Sequence, residues 1–469
     1  MQRFFLKWLV LRIVLSICSF SICCIAAEEG NVVNDIRIDG KPHDSYFFRY
    51  EPPPAISSSS DITIKNAEIV FNSRRCASEN LVLHGRIIAK QTCTVDSELT
   101  GFRNTVNAGG YRIYPALINA HDHGFSNWSP PIKTLKFTNY VEWIDHVHKH
   151  SDPSIAENRI TSFADRLDLM FYKQVFNGVG TVELFTDNTN KYYVYQYPIR
   201  ILDMFSHSHS ILVGERRTAL DYARTKGVQP FLIHLGEGKD EAMRKELGCL
   251  DRLGALSSNT VLIHGIAFKE GDWKRIARTG AALVWCPSSN MHLYGTTADI
   301  PGALKAGVRV CIGTDGAITG GKGLLEELRV AQRIYPNISS QKLFEMVTET
   351  AASILAIDDQ VGTLDPGKRA DLLIVRKKSD DPFRDLIELQ PEDIGLLMVD
   401  GVPVFGDVFF LNEFRLPVER VKHIQVAGKK KFLVGDLEGL LASIARTIGY
   451  AKGFDFLPTI EWSRDTAAE

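Results

Sequence analysis

Four apolar runs in this sequence stop on a histidine or an aspartate. Pro115-Ala-Leu-Ile-Asn-Ala-His121-Asp-His123 carries two histidines; Phe231-Leu-Ile-His234, Val261-Leu-Ile-His264 and Val308-Arg-Val-Cys-Ile-Gly-Thr-Asp315 end on one such residue each. Short, nearly continuous apolar runs are the pattern of strands covered on both faces, as in a parallel sheet. His121 and His123 are two residues apart, so on a strand both side chains leave from the same face. In a parallel barrel the carboxyl ends of the strands share one rim, where active sites lie. One histidine of this kind is ordinarily a satisfied core or surface residue. Four strand ends carrying metal-competent side chains point instead to a common site.

The surrounding pattern agrees with a parallel sheet. Strand-like runs at 113–120, 179–185, 199–205, 231–234, 261–264, 282–285 and 308–313 alternate with helical stretches such as 215–226 and 273–279. That alternation suits a barrel or an open doubly wound sheet. Seven runs do not by themselves close a barrel. Residues 61–112 read as a small all-β unit of short strands and turns, and 359–412 supply further strands able to return to it. Residues 28–60, with Glu51-Pro-Pro-Pro54 and Ser57-Ser-Ser-Ser60, form a turn-rich lead-in. Residues 413–469 read as a helical tail, amphipathic between 436 and 450. A chain of 469 residues accommodates a barrel of roughly 250–300 residues plus this accessory unit. The net charge of -2 gives no reason to expect nucleic acid as a partner, and Lys429-Lys430-Lys431 reads as a solvated face.

The N-terminus reads as a secretory leader. Arg3, Lys7 and Arg12 precede an apolar run at 13–27, which ends in small residues before Glu28-Glu29-Gly30. The run is shorter than the roughly 20 residues of a membrane-spanning helix. A cleaved leader over 1–27 implies a secreted or periplasmic protein. An uncleaved membrane anchor is the alternative, whereas Phe20-Ser21-Ile22 before Cys23 and Cys24 fits a lipidation site poorly. Of eight cysteines, five follow the leader without CxxC spacing, so no cysteine metal site is expected. Cys76 and Cys93 can pair in an oxidising compartment, but free thiols are the simpler expectation.

Several motifs resemble the amidohydrolase superfamily, over about residues 61–410. The run ending at His123 resembles its first-strand signature, Gly178-Val-Gly-Thr-Val its next strand, and Gly362-Thr-Leu-Asp-Pro-Gly-Lys-Arg-Ala-Asp-Leu its return strand. The resemblance implies a distorted (β/α)8 TIM barrel over 113–358 beside a composite β-sandwich from 61–112 and 359–412. It implies that His121, His123, His234 and Asp315 ligate one divalent metal ion. His264 would sit beside the ion, and Asp315 would serve in catalysis as well as ligation. Relatives with two metals usually add a lysine from the fourth strand, and 199–213 contains none. Three imidazoles and a carboxylate suit Zn²⁺, with Fe²⁺ or Mn²⁺ as alternatives. Such an ion lowers the pKa of bound water from ~15.7 to ~7.

Glu237 narrows the chemistry. His234-Leu-Gly-Glu237 resembles the His-x-x-Glu of deaminases in this superfamily, where the Glu protonates a ring nitrogen as a general acid. The bland alternative is an exposed loop residue between two glycines. Trp285-Cys-Pro-Ser-Ser-Asn290 resembles the turn after strand seven, with a largely structural Asn. Ala267 and Trp285 depart from histidines common in that branch and weaken any claim for a particular amino-heterocycle. The resulting expectation is an exported hydrolase of non-peptide C–N bonds in a small molecule, deaminating an amino-substituted heterocycle. Hydrolysis of a cyclic or acyl amide is the enzymatic alternative, and a non-catalytic scaffold the alternative of another class. His207 and His209 can face the pocket without binding metal. His146, His148 and His150 read as a surface helix face, and the Asn127-Trp-Ser sequon as unused.

Overall fold

The computed structural model describes residues 37–38, 41–42, 61–92, 104–133, 136–149, 153–186, 197–414 and 421–462. The leader, nearly all of the lead-in, Cys93 and His150 lie outside these residues.

Eight short parallel strands line the central barrel among the described residues: β1 (Leu117–Asp122), β2 (Val179–Leu184), β3 (Arg200–Ile201), β4 (Ser206–Ser208), β5 (Phe231–Leu235), β6 (Thr260–His264), β7 (Ala282–Trp285) and β8 (Arg309–Ile312). They pair in two arcs, β1 to β3 and β4 to β8. The end of β1 meets the end of β8 through a parallel bridge between Asp122 and Asp315. The barrel is distorted where the two arcs part, between β3 and β4.

One run that the apolar pattern shows as a single strand is split in the structure, and another is followed at once by a further strand. In the run 199–205 the Leu202 amide still donates to Val182, whereas the Ser206 amide, just past it, donates to Pro230. The backbone changes neighbour there, which yields the eighth strand. Within 113–120, strand Tyr111–Pro115 pairs with Leu372–Arg376, and Leu117 then donates to Gly178 beside β2. An uninterrupted apolar run cannot reveal such a switch, because both partners bury it.

The second unit unites both ends of the chain. Strands Asp61–Lys65, Asn80–His84, Ile87–Thr92 and Asn104–Asn107 form one sheet. Glu68–Asn72 and Tyr111–Pro115 join Leu372–Arg376, Ile394–Val399 and Val402–Asp407 in another. Ile62, Ile69, Phe71, Leu83, Leu372 and Leu396 share its core. The segment before Leu372 docks on the N-terminal strands, its Leu364 and Ala370 amides donating to Phe71 and Arg86.

The tail differs from a purely helical one. Helix Leu437–Ile448 is present, capped by the Asp436 carboxylate, but strands Val421–Val426, Lys429–Val434 and Ile460–Trp462 extend the larger sheet. Strand alternation corrects the reading of the lysine run. Lys430 is exposed, but Lys431 is fully buried, donating to Asp407 Oδ1 at 2.7 Å and Ile394 O at 2.6 Å. A period of two sends one lysine inward whatever the charge of the run.

Buried ion pairs fasten the units. Arg200 of β3 reaches Asp371 and Asp400 of the sandwich. Within the sandwich, fully buried Arg112 joins the N-terminal and C-terminal parts, binding Asp385 Oδ2 at 2.6 Å and Glu68 Oε2 at 2.7 Å. Removing one partner of such a pair leaves uncompensated charge in a poor solvent. Arg112→Met is therefore expected to lower unfolding stability by about 3 kcal/mol, read from denaturant unfolding curves. A loss below ~1 kcal/mol would contradict this account of the joint.

Candidate metal centre and active site

His121 and His123 occupy the end of β1 and the residue just beyond it, as expected from their spacing. Between them Asp122 turns the other way. Its carboxylate accepts from Thr314 Oγ1 at 2.7 Å, Asn127 Nδ2 at 2.8 Å and Gln174 Nε2 at 2.9 Å, and pairs with buried Lys173 at 3.1 Å. The His121 carbonyl accepts from the Thr314 and Asp315 amides, and the His123 amide donates to Asp315 O. This lattice holds the two histidines against the Asp315 backbone. Asp315 itself lies at φ +59°, a left-handed conformation uncommon for a residue other than glycine. Strain of this kind persists where surrounding contacts over-determine the backbone.

The four predicted ligands converge. One donor atom from each of His121, His123, His234 and Asp315 lies within 4.8 Å of the others. His234 Nε2 is 3.2 Å from His123 Nε2 and 3.3 Å from His121 Nε2. Asp315 Oδ1 is 3.5 Å from His123 Nε2 and 3.7 Å from His121 Nε2. The outer atoms of three ligands are already engaged. His234 Nδ1 donates to the His209 carbonyl at 3.0 Å, and His121 Nδ1 faces Glu183 Oε2 at 3.1 Å. Asp315 Oδ2 accepts from Ser289 Oγ at 2.6 Å and Thr319 Oγ1 at 2.9 Å. A carbonyl only accepts, so His234 carries its proton on Nδ1 and turns the Nε2 lone pair inward.

These donors fit a metal ion. Tetrahedral ligands at ~2.0–2.1 Å stand ~3.3–3.4 Å apart, close to the imidazole spacings. Burial pushes His123 and His234 well below the usual histidine pKa, favouring the neutral form a metal needs. Burial also opposes charge on His121, yet the Asp315 and Glu183 carboxylates raise its pKa to about 9. Metal binding must therefore displace a proton there. Glu183 is placed as the outer partner that would orient His121 toward a metal. It escaped the sequence reading although it too stands at the end of a strand, in Val179-Gly-Thr-Val-Glu183.

His264 and Glu237 sit beside this cluster. His264, at φ +75°, has Nδ1 2.9 Å from Asn290 Oδ1, so Nε2 is left as the acceptor. That Nε2 is buried without a hydrogen-bond partner and lies 3.7 Å from Glu237 Oε2. The Asn290 amide in turn donates to Thr297 Oγ1, which also accepts from Trp285 Nε1. Asn290 thus orients His264, a more specific task than a structural one.

Glu237 is buried and faces inward, not a surface loop residue. Its Oε1 accepts from Tyr294 Oη at 2.5 Å and Trp143 Nε1 at 3.4 Å, leaving Oε2 free toward His264. Burial raises the Glu237 pKa, against the lowering pull of His264. Gly236, at φ +66°, makes the turn that brings Glu237 inward; a side chain there would meet the Phe268 ring.

A cavity of about 220 Å³ opens onto these groups, lined on one side by Tyr140, Trp143, Ile144 and Val147. The helix Tyr140–Lys149 was legible only as a charged helix with histidines on its surface. His148 is exposed but reaches the cavity mouth. His209 also lines the cavity, while His207 packs on Phe185 at 4.4 Å between ring centroids. Neither belongs to the four-donor cluster. Asn127 is closed as a sequon: buried, it binds Lys173 Nζ, Asp122 and the Ala317 amide. Cys76, Cys249, Cys286 and Cys311 are free thiols, none in the metal cluster.

Comparisons with known proteins agree with this geometry. Residues 215–404 match the amidohydrolase family. A 5-methylthioadenosine/S-adenosylhomocysteine deaminase of Pyrococcus furiosus is 26% identical over 66% of this chain and 86% of its own length. The corresponding protein of Desulforudis audaxviator is 35% identical over 31% of this chain, and the match covers 37% of that relative. A zinc-bound adenosine deaminase from Xanthomonas campestris superposes with a TM-score of 0.64 at 17% identity, covering 83% of this chain and 98% of its own. The barrel beside a composite sandwich is the fold of that solved structure, and the stretch 215–404 is similar to the amidohydrolase family.

The donor arrangement makes a direct expectation. Purified protein should hold about one tightly bound divalent ion per chain by elemental analysis. The double variant His121→Ala, His123→Ala should hold less than ~0.1. Equal metal content in the two would contradict ligation by this pair.

Proposed function

We propose that this protein is a metal-dependent hydrolase that deaminates an amino-substituted heterocycle. The observation that carries the reading is Glu237: a buried carboxyl of raised pKa, with one oxygen fixed and the other free, 3.7 Å from His264 Nε2. Paired titratable groups of this kind in a cavity mark acid–base work.

His121, His123, His234 and Asp315 would hold one divalent ion, with Zn²⁺ the best match to three nitrogens and one oxygen. Such an ion supplies Lewis-acid activation of water at neutral pH. The remaining work falls to the chain. Tyr294 and Trp143 fix Glu237 Oε1, so the proton leaves from Oε2 toward a ring nitrogen of the substrate. His264, with Nδ1 held by Asn290, presents Nε2 as acceptor for a proton of the attacking water. The carbon gains oxygen from water, and the exocyclic amine leaves as ammonia after gaining a proton. The sum is N=C–NH2 plus H2O giving HN–C=O plus NH3, the ring nitrogen keeping the proton it received.

The relatives named as nucleoside-derivative deaminases support this direction of chemistry without specifying a substrate. A cyclic or acyl amide would be opened without release of ammonia from an exocyclic amine. Ammonia release across purines, pyrimidines, pterins and triazines therefore separates the two.

Glu237→Gln tests the role of the acid. The amide keeps the size and hydrogen bonding of the side chain but cannot cycle a proton. Metal content should remain near one per chain, while kcat falls by roughly 10²–10⁴-fold with a much smaller change in KM. Unchanged kcat would remove the reason for preferring deamination, and loss of metal would show that Glu237 supports the ligand cluster instead.

A further inference from the structure

Resting on the deamination reading, we infer that the substrate is an uncharged heterocycle bearing an apolar substituent packed against helix Tyr140–Lys149, with Trp143 the positioning residue that registers it against Glu237.

The cavity is divided by chemistry. His123, His234, His264, Asp315 and Glu237 occupy one region of its lining. Tyr140, Trp143, Ile144 and Val147 present one helical face, and Ile155 and Ile318 extend the apolar surface. A reacting ring must lie against the first group. Whatever the ring carries then meets the second. An ionised substituent placed there loses its water and meets mostly hydrocarbon.

The apolar wall and the acid form one mechanical unit. The Tyr140 amide donates to the Glu237 carbonyl at 3.0 Å, and the Lys239 amide to Thr138 O at 2.8 Å. Asn139 Nδ2 donates to Asp240 Oδ2 at 2.6 Å, while its own Oδ1 caps the helix by accepting from the Val141 amide at 3.1 Å. Gly238, at φ +157°, lets the two segments touch: a Cβ there would lie 2.6 Å from Asn139 Cβ. Trp143 completes the joint from the side chain, its Nε1 3.4 Å from Glu237 Oε1 and its body in the cavity wall. A ligand that packs on the helix is thereby indexed to Glu237, and a shift of the helix would move both.

The test uses metal-loaded full-length protein and two neutral-ring probes differing in one charge, 9-butyladenine and 9-(3-carboxypropyl)adenine. Binding is measured by calorimetry and ammonia release in parallel. The butyl compound is expected to bind at least ~10-fold more tightly. Val147→Arg should bring the two affinities within about threefold of each other or invert them, while Val147→Met should keep the original ratio. Trp143→Phe should keep the ratio and KM but lower kcat about 3–10-fold, separating registration of the acid from bulk packing. Equal or tighter binding of the carboxylate by the wild type, or binding of neither probe, overturns the inference. Selective butyl binding without ammonia release leaves the apolar subsite standing and removes deamination. Equal ammonia release from both probes keeps deamination and overturns the subsite.

Discussion

Three imidazole nitrogens and one carboxylate oxygen point their lone pairs at a common place, and the barrel rim is arranged around that crowding. The 3.2–3.3 Å spacings of His234 Nε2 to its two imidazole neighbours are close to those of ligands around one ion. The arrangement persists because the outer atoms are spoken for: His234 by a backbone carbonyl, His121 by Glu183, Asp315 by two hydroxyls. The left-handed backbone of Asp315 and His264 belongs to the same constraint. Both residues stand just where strands end, and both turn their side chains toward one centre.

That constraint explains which parts of the site were legible. His121, His123, His234, His264 and Asp315 each follow a run of apolar strand residues, so period and strand ends were enough to nominate them. Glu237 needed a motif as well, because nothing in its own neighbourhood of glycines says which way it faces. Glu183 carried the same strand-end signal and was passed over. Trp143 and Tyr294 had no comparable signal. A helical pattern shows that one face is apolar, but not that the face looks onto a cavity.

The fold was legible in kind but not in its joints. Alternating strands and helices indicated a parallel sheet, yet the apolar pattern concealed a change of partner at Ala116 and the separate strand that begins at Ser206, just past the run 199–205. Continuous hydrophobicity cannot mark the point where one buried neighbour replaces another. Lys431 illustrates the converse problem: charge suggested solvent, whereas strand alternation and Asp407 decided burial. The composite sandwich follows from the same topology, since the strand leading into β1 pairs with the strand that returns after the barrel.

The central claim is that histidine nitrogens and the Asp315 carboxylate create the metal site. X-ray absorption on zinc-loaded protein addresses it directly. The account predicts a first shell of nitrogen and oxygen at ~2.0–2.2 Å with no sulphur at ~2.3 Å, and loss of imidazole scattering in His234→Ala. A sulphur shell, or an unchanged imidazole signal in that variant, would contradict it.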